Sequence, residues 1–276
     1  MTGYLIGLVI GTLAGLHTST WGMYKDAPHE GFSWPKYFRS TWVGAALGVV
    51  TYAFVDDWDL TEPGAMLVYF GLIYVLERGA TEFWKSFLRD EDQSKYFIPM
   101  QFGVFGKPIK DNAKRIAIGF AYAAVVVAAF LGVHALDRAE LGWPTWVVVL
   151  TIGSVGGWIS AFGGAWKDAP IEGFETFKFF RSPVAATLYA GVVAHFTTSY
   201  LAIAMAGLGF TIATIETYKT FFFPNKPRGK FAGMPIHHPE MLERRKGFVP
   251  VYAGIWAAVL VTAALAFARP HIDFVV

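Results

Sequence analysis

The chain has 276 residues, of which 54% are hydrophobic, 17% aromatic and only 16% charged, with a formal net charge of +2. A chain of this size is too apolar for an ordinary soluble domain, and its expected solvent is mostly lipid. It contains no cysteine, which excludes disulfides, thiolate metal sites and cysteine nucleophiles and leaves the redox compartment open.

A membrane-crossing helix needs about 20 mostly apolar residues. Eight segments fit that template: 4–23, 41–55, 64–81, 116–136, 145–165, 183–200, 202–222 and 248–268. The first lacks a basic n-region and a cleavage site and reads as a retained helix, not a signal peptide. The second and sixth are short. Segment one carries Gly3, Gly7, Gly11 and Gly15, and segment five repeats part of the row with Gly153, Gly157 and Gly164. Small residues let helix backbones approach closely in lipid, so the first helix of each half is expected inside the bundle, near its axis.

One stretch occurs twice without a gap. Residues 24–40 read YKDAPHEGFSWPKYFRS and residues 166–182 read WKDAPIEGFETFKFFRS, 142 positions apart, with eleven of seventeen positions identical. Glu82-x-x-Lys85 returns as Glu216-x-x-Lys219 at an offset of 134, and Gly106-Lys107-Pro108-Ile109 answers to Gly233-Met234-Pro235-Ile236 at 127. The expected architecture is an all-α polytopic membrane protein, a tandem 4+4 repeat with halves 1–140 and 141–276. Four helices per half is an even number, so the copies enter the membrane in the same sense, as a parallel repeat.

Lysine and arginine set the orientation. The loops at 24–40, 78–115, 167–182 and 219–247 hold 21 of the 23 basic residues, leaving only Arg138 and Arg269 on the other side. The opposite loops are acidic, with Asp56, Asp57, Asp59 and Glu62 in one and Asp137 and Glu140 in another. By the positive-inside rule the basic loops face the cytoplasm and both termini lie outside, in a bacterial inner membrane. Pro224, Pro227, Gly229, Pro235 and Pro239 argue against regular structure in the last basic loop.

The duplicated motif has a structural and a functional reading. In the first, Asp26 or Asp168 caps a helix, Pro28 or Pro170 sits in its first turn, and the aromatic residues lay a short helix along the interface. In the second, Lys25, Asp26, Glu30, Lys36 and Arg39, with Lys167, Asp168, Glu172, Lys178 and Arg181, bind an anion or lipid head group. Arginine grips such oxygens bidentately and lysine acts as a point charge. Glu82, Lys85, Glu216 and Lys219 are supporting residues, each Glu-x-x-Lys spaced to pair across one helical turn.

His17 and His195 lack counterparts and read as core histidines, and adjacent His237 and His238 are a poor metal signal. No phosphate loop, HExxH, GxSxG, dinucleotide pattern or paired-aspartate prenyl-transfer signature is present, so no cofactor or metal is assigned. The leading reading is a carrier or channel for a small anionic solute, with the motifs forming a cytoplasmic binding vestibule. The alternatives are a non-catalytic subunit of a larger membrane complex, with lipids and other membrane subunits as partners, and a metal-dependent enzyme acting on a lipid phosphate. The missing catalytic patterns lean against an enzyme. Nucleic acid is not an expected partner, because topology already explains the spread of basic residues.

Overall fold

In the computed structural model, which describes residues 1–55, 57–225 and 229–273, the chain is all-helical apart from a ladder of two two-residue strands. Asp56, in the acidic loop, and Lys226, Pro227 and Arg228, in the last basic loop, lie outside the described residues. Eight long helices follow one another: α1 (Thr2–Glu30), α2 (Trp34–Tyr52), α3 (Pro63–Phe83), α4 (Asn112–Arg138), α5 (Thr145–Glu172), α6 (Thr176–Val193), α7 (Tyr200–Phe222) and α8 (Met241–Phe267). Five of them, α1, α4, α5, α7 and α8, are long and apolar enough to cross a membrane.

Two helix boundaries differ from the sequence reading for one reason. α1 and α5 do not stop before the duplicated motif but run through it to Glu30 and Glu172, with Pro28 and Pro170 in their last turns. Asp26 and Asp168 therefore do not cap helix starts. A proline inside a helix frees the carbonyl four residues earlier. For Pro28 that carbonyl is Tyr24 O, which accepts a hydrogen bond from Arg245 Nη1 at 2.9 Å. The separate interfacial helix is likewise absent, because Trp34 and Thr176 already begin α2 and α6. α6 ends at Val193, short of the expected residue 200.

Glycine decides the helix pairing. A Cβ on Gly7 or Gly11 would collide with the carbonyl of Gly48 or Gly44, and one on Gly15 with that of Ser40. The glycine row of α1 thus faces α2, not the axis as expected. In the second half Gly157 meets the Ser182 carbonyl in the same way. The centre belongs to α3 and α7, where a Cβ on Gly209 would collide with the Gly71 carbonyl. Around that crossing Tyr69, Ile73, Tyr74, Ala206, Phe210 and Ala213 form a buried core.

α4 is the opposite case: only Arg115 and Gly119 of its 27 residues are buried. Arg115 donates to the carbonyls of Phe87, Ile109 and Arg89 at 3.2, 3.1 and 3.4 Å, pinning the basic loop to the start of α4. At the acidic end Arg269, after α8, pairs with Glu62, before α3, at 2.6 Å.

The central contact makes a sharp prediction. Gly209→Ala should lower stability by about 1–3 kcal/mol or more through overpacking against the Gly71 backbone. Gly132→Ala, inside α4 where a Cβ meets nothing within 4 Å, should leave stability unchanged or raise it by up to about 1 kcal/mol. Thermal unfolding midpoints in detergent compare the two.

Candidate functional site

Each motif copy folds as a tight elbow. The helix ends at Glu30 or Glu172, and the next residue, Gly31 or Gly173, takes φ 74° or 84°, a backbone region open essentially only to glycine. Three residues after the glycine the following helix begins, which brings the lysine six positions after the glutamate back to it. Lys36 pairs with Glu30, and Lys178 bonds Glu172 at 2.8 Å and Asp168 at 2.9 Å.

The Glu-x-x-Lys pairs lie at the same end. Lys85 bonds Glu82 at 3.3 Å and Lys219 bonds Glu216 at 2.7 Å, with Arg78 adding a second cation to Glu82. Both lysines sit on π-helical turns, Trp84–Leu88 and Tyr218–Phe222, 134 positions apart. Such turns recur at functional sites.

Each motif copy faces the Glu-x-x-Lys pair of the other half. Lys25 of the first pairs with Glu216 at 3.5 Å, and Lys167, its counterpart in the second, sits in the field of Glu82. Lys25 and Arg78 both stack on the Trp21 ring, 4.9 and 5.0 Å from its centroid.

Two cavities follow from this framework. The first, about 70 Å³, lies among Thr18, Gly22, Asp26, Lys36, Arg39 and Ser40 and is closed by Arg78 and Lys85. The second, about 160 Å³, lies among Ser160, Gly164, Asp168, Lys178, Arg181 and Ser182 and is closed by Lys219. Every residue lining the first except Trp21 has its counterpart, 142 or 134 positions on, lining the second. A larger cavity of about 500 Å³ shares Asp168, Lys178, Arg181 and Lys219 with the second and is bordered by Lys25, Glu172 and Arg245.

Several participants carried no clear signal in the sequence. Lys230 bonds Asp26 at 2.8 Å and Glu30 at 3.4 Å. Tyr96 Oη donates to Glu30 at 3.0 Å and also lies 3.0 Å from Glu91, which pairs with Arg89 at 2.6 Å. Burial, then the Glu30 charge, pushes the Tyr96 hydroxyl above its ordinary range, so it stays a donor. Partial burial raises the Glu91 carboxyl, but the Lys95 hydrogen bond and Arg89 outweigh it and hold it below its ordinary value. Glu77 is fully buried beside the hydroxyls of Thr18 and Ser40, with no hydrogen bond of normal geometry to its oxygens.

His17 Nδ1 lies 3.0 Å from Tyr74 Oη and its ring stacks on Tyr252 at 4.2 Å. His237 and His238 donate their backbone N–H groups to the Pro28 carbonyl at 3.1 and 2.9 Å. Among the described residues, no three His, Asp or Glu side chains converge in a way that could hold a metal ion. No protein-family model, curated protein or solved structure matches the chain.

The cross-copy pair is testable by a double-mutant cycle. Lys25→Met and Glu216→Gln should show a coupling of about 1–3 kcal/mol in thermal stability, as expected for contacting residues in one ion-pair network. Additive effects would mean that Lys25 is held by Trp21 alone.

Proposed function

We propose that this chain carries a small anionic solute across a bacterial inner membrane, with the duplicated motifs forming its binding vestibule at the cytoplasmic face. The observation that carries this reading is the pair of counterpart cavities, each holding an arginine, two or more lysines and a serine at the basic end of an apolar bundle. Guanidinium, ammonium and hydroxyl donors converging on one space suit an oxyanion.

The reading includes eight spans in a parallel 4+4 repeat with both termini outside. Its support is the repetition of the elbow, the glycine contact on the following helix and the π-helical turn in each half. A carrier fits better than an open channel, because the Gly71–Gly209 backbone contact closes the centre and transport through it needs helix movement. Arg39, Arg181, Lys36, Lys178, Lys85 and Lys219 are the groups assigned to the solute.

A second reading, an accessory subunit of a larger membrane complex, is favoured by one observation. α4 is apolar and exposed over almost its whole length, a surface that either lipid or a partner helix would cover. Mild-detergent purification with intact-mass measurement separates the two: a lone chain or small homo-oligomer supports the carrier, stoichiometric foreign subunits the alternative.

The direct test is uptake of radiolabelled phosphate, sulfate and a dicarboxylate by reconstituted vesicles. Arg39→Ala combined with Arg181→Ala should reduce uptake about tenfold or more, since a lost charged hydrogen bond is worth about 1.5–3 kcal/mol. A folded double variant with unchanged uptake would reduce the motif to a structural elbow.

A further inference from the structure

The two cavities share a scaffold but not a charge. The first is lined by Lys36, Arg39, Arg78 and Lys85 against one acid, Asp26. The second is lined by Lys178, Arg181 and Lys219 against Asp168, Glu175 and Glu216. Two replacements at counterpart positions account for most of the difference: Arg78 against Ile212, and Ser33 against Glu175. Both make the first cavity more positive.

The pairing pattern deepens the contrast. In the second copy Lys178 is committed to both Asp168 and Glu172, and Lys219 to Glu216. In the first, Lys230 arrives from the last basic loop and takes Asp26, Lys36 is left with Glu30 alone, and the two cations Arg78 and Lys85 share the single acid Glu82. Arg39 is held over the Trp84 ring at 5.3 Å. Glu77, next to Arg78, is sealed behind Thr18 and Ser40 and does not line the cavity.

Size points the same way. Trp21 lines the first cavity while its counterpart, Gly163, does not line the second, and the first is the smaller, about 70 against about 160 Å³. A small, cation-rich space suits a compact oxyanion, whereas the second is balanced by its own acids.

We propose that the copies have divided the work: the first cavity binds a phosphate-like oxyanion, and the second is a charge-balanced counterpart that lines the approach vestibule. This rests on the anion reading above and assigns it to one site. The phosphate group belongs either to a free solute or to a lipid head group.

The cysteine-free chain permits a clean test. Gly22 and Gly164 line the two cavities at counterpart positions, and a Cβ on either meets nothing within 4 Å. Gly22→Cys and Gly164→Cys are each labelled with a neutral thiol reagent, with and without inorganic phosphate, in detergent and in nanodiscs of neutral lipid or neutral lipid plus phosphatidate. Phosphate at about ten times its dissociation constant should slow labelling of Gly22→Cys about tenfold and leave Gly164→Cys unchanged. Adding Ser33→Glu and Arg78→Ile should abolish that protection, and Glu175→Ser with Ile212→Arg should confer it on Gly164→Cys. Should the exchange variants misfold, the two single-cysteine chains still decide.

Protection of Gly22→Cys by phosphatidate nanodiscs alone supports the site but makes its ligand a head group, against the carrier reading. Equal protection at both positions, or protection at Gly164→Cys alone, overturns the division while leaving the anion reading intact. No protection at either overturns both.

Discussion

Charges at the end of an apolar helix bundle are expensive unless paired, and the rest of the basic end is arranged around that constraint. Lys25 leaves its own motif to meet Glu216, while Lys167 lies in the field of Glu82, so each copy supplies charge to the other. The Lys25–Glu216 pair ties α1 to α7 at the face where the elbows turn. With these ends fixed, the lysine and arginine that open α2 and α6 are carried back over the ends of α1 and α5. The cavities are the space left between them.

Glycine supplies the complementary condition. Close backbone contact along Gly7, Gly11 and Gly15 draws α2 onto α1, and the Gly157 contact draws α6 onto α5. Each elbow turns on a single glycine of positive φ. The α3–α7 crossing packs the middle of the bundle tightly, which concentrates polar space at the basic end. Polar groups deeper in the bundle satisfy one another, as His17 and Trp21 do at Tyr74 Oη, with Trp21 Nε1 donating at 3.0 Å.

Much of this was legible in the sequence because repetition exposes what single residues do not. The helical, membrane-compatible character, the recurrence of the motif and the Glu-x-x-Lys pairs could all be read from composition and spacing. The elbow's direction could not. Pro28 reads as a helix starter, yet the freed Tyr24 carbonyl is taken by Arg245, more than two hundred residues away, and the helix runs on through it. Lys230 and Tyr96 were equally hidden, since nothing local marks a loop side chain that folds back onto Asp26 and Glu30. The glycine row correctly marked close packing but not its partner, because a small-residue stripe is blind to which helix it meets. The charge contrast between the cavities depends on Arg78 and Ile212, which meet their motifs only through the fold.

The most direct test of a motif-built anion site is diffraction from crystals soaked in selenate, a tetrahedral oxyanion with a strong anomalous signal. The account predicts an anomalous peak enclosed by Arg39, Arg78, Lys36 and Lys85, and none of comparable height beside Arg181. A first cavity without a peak, in crystals whose basic end is ordered, would contradict it.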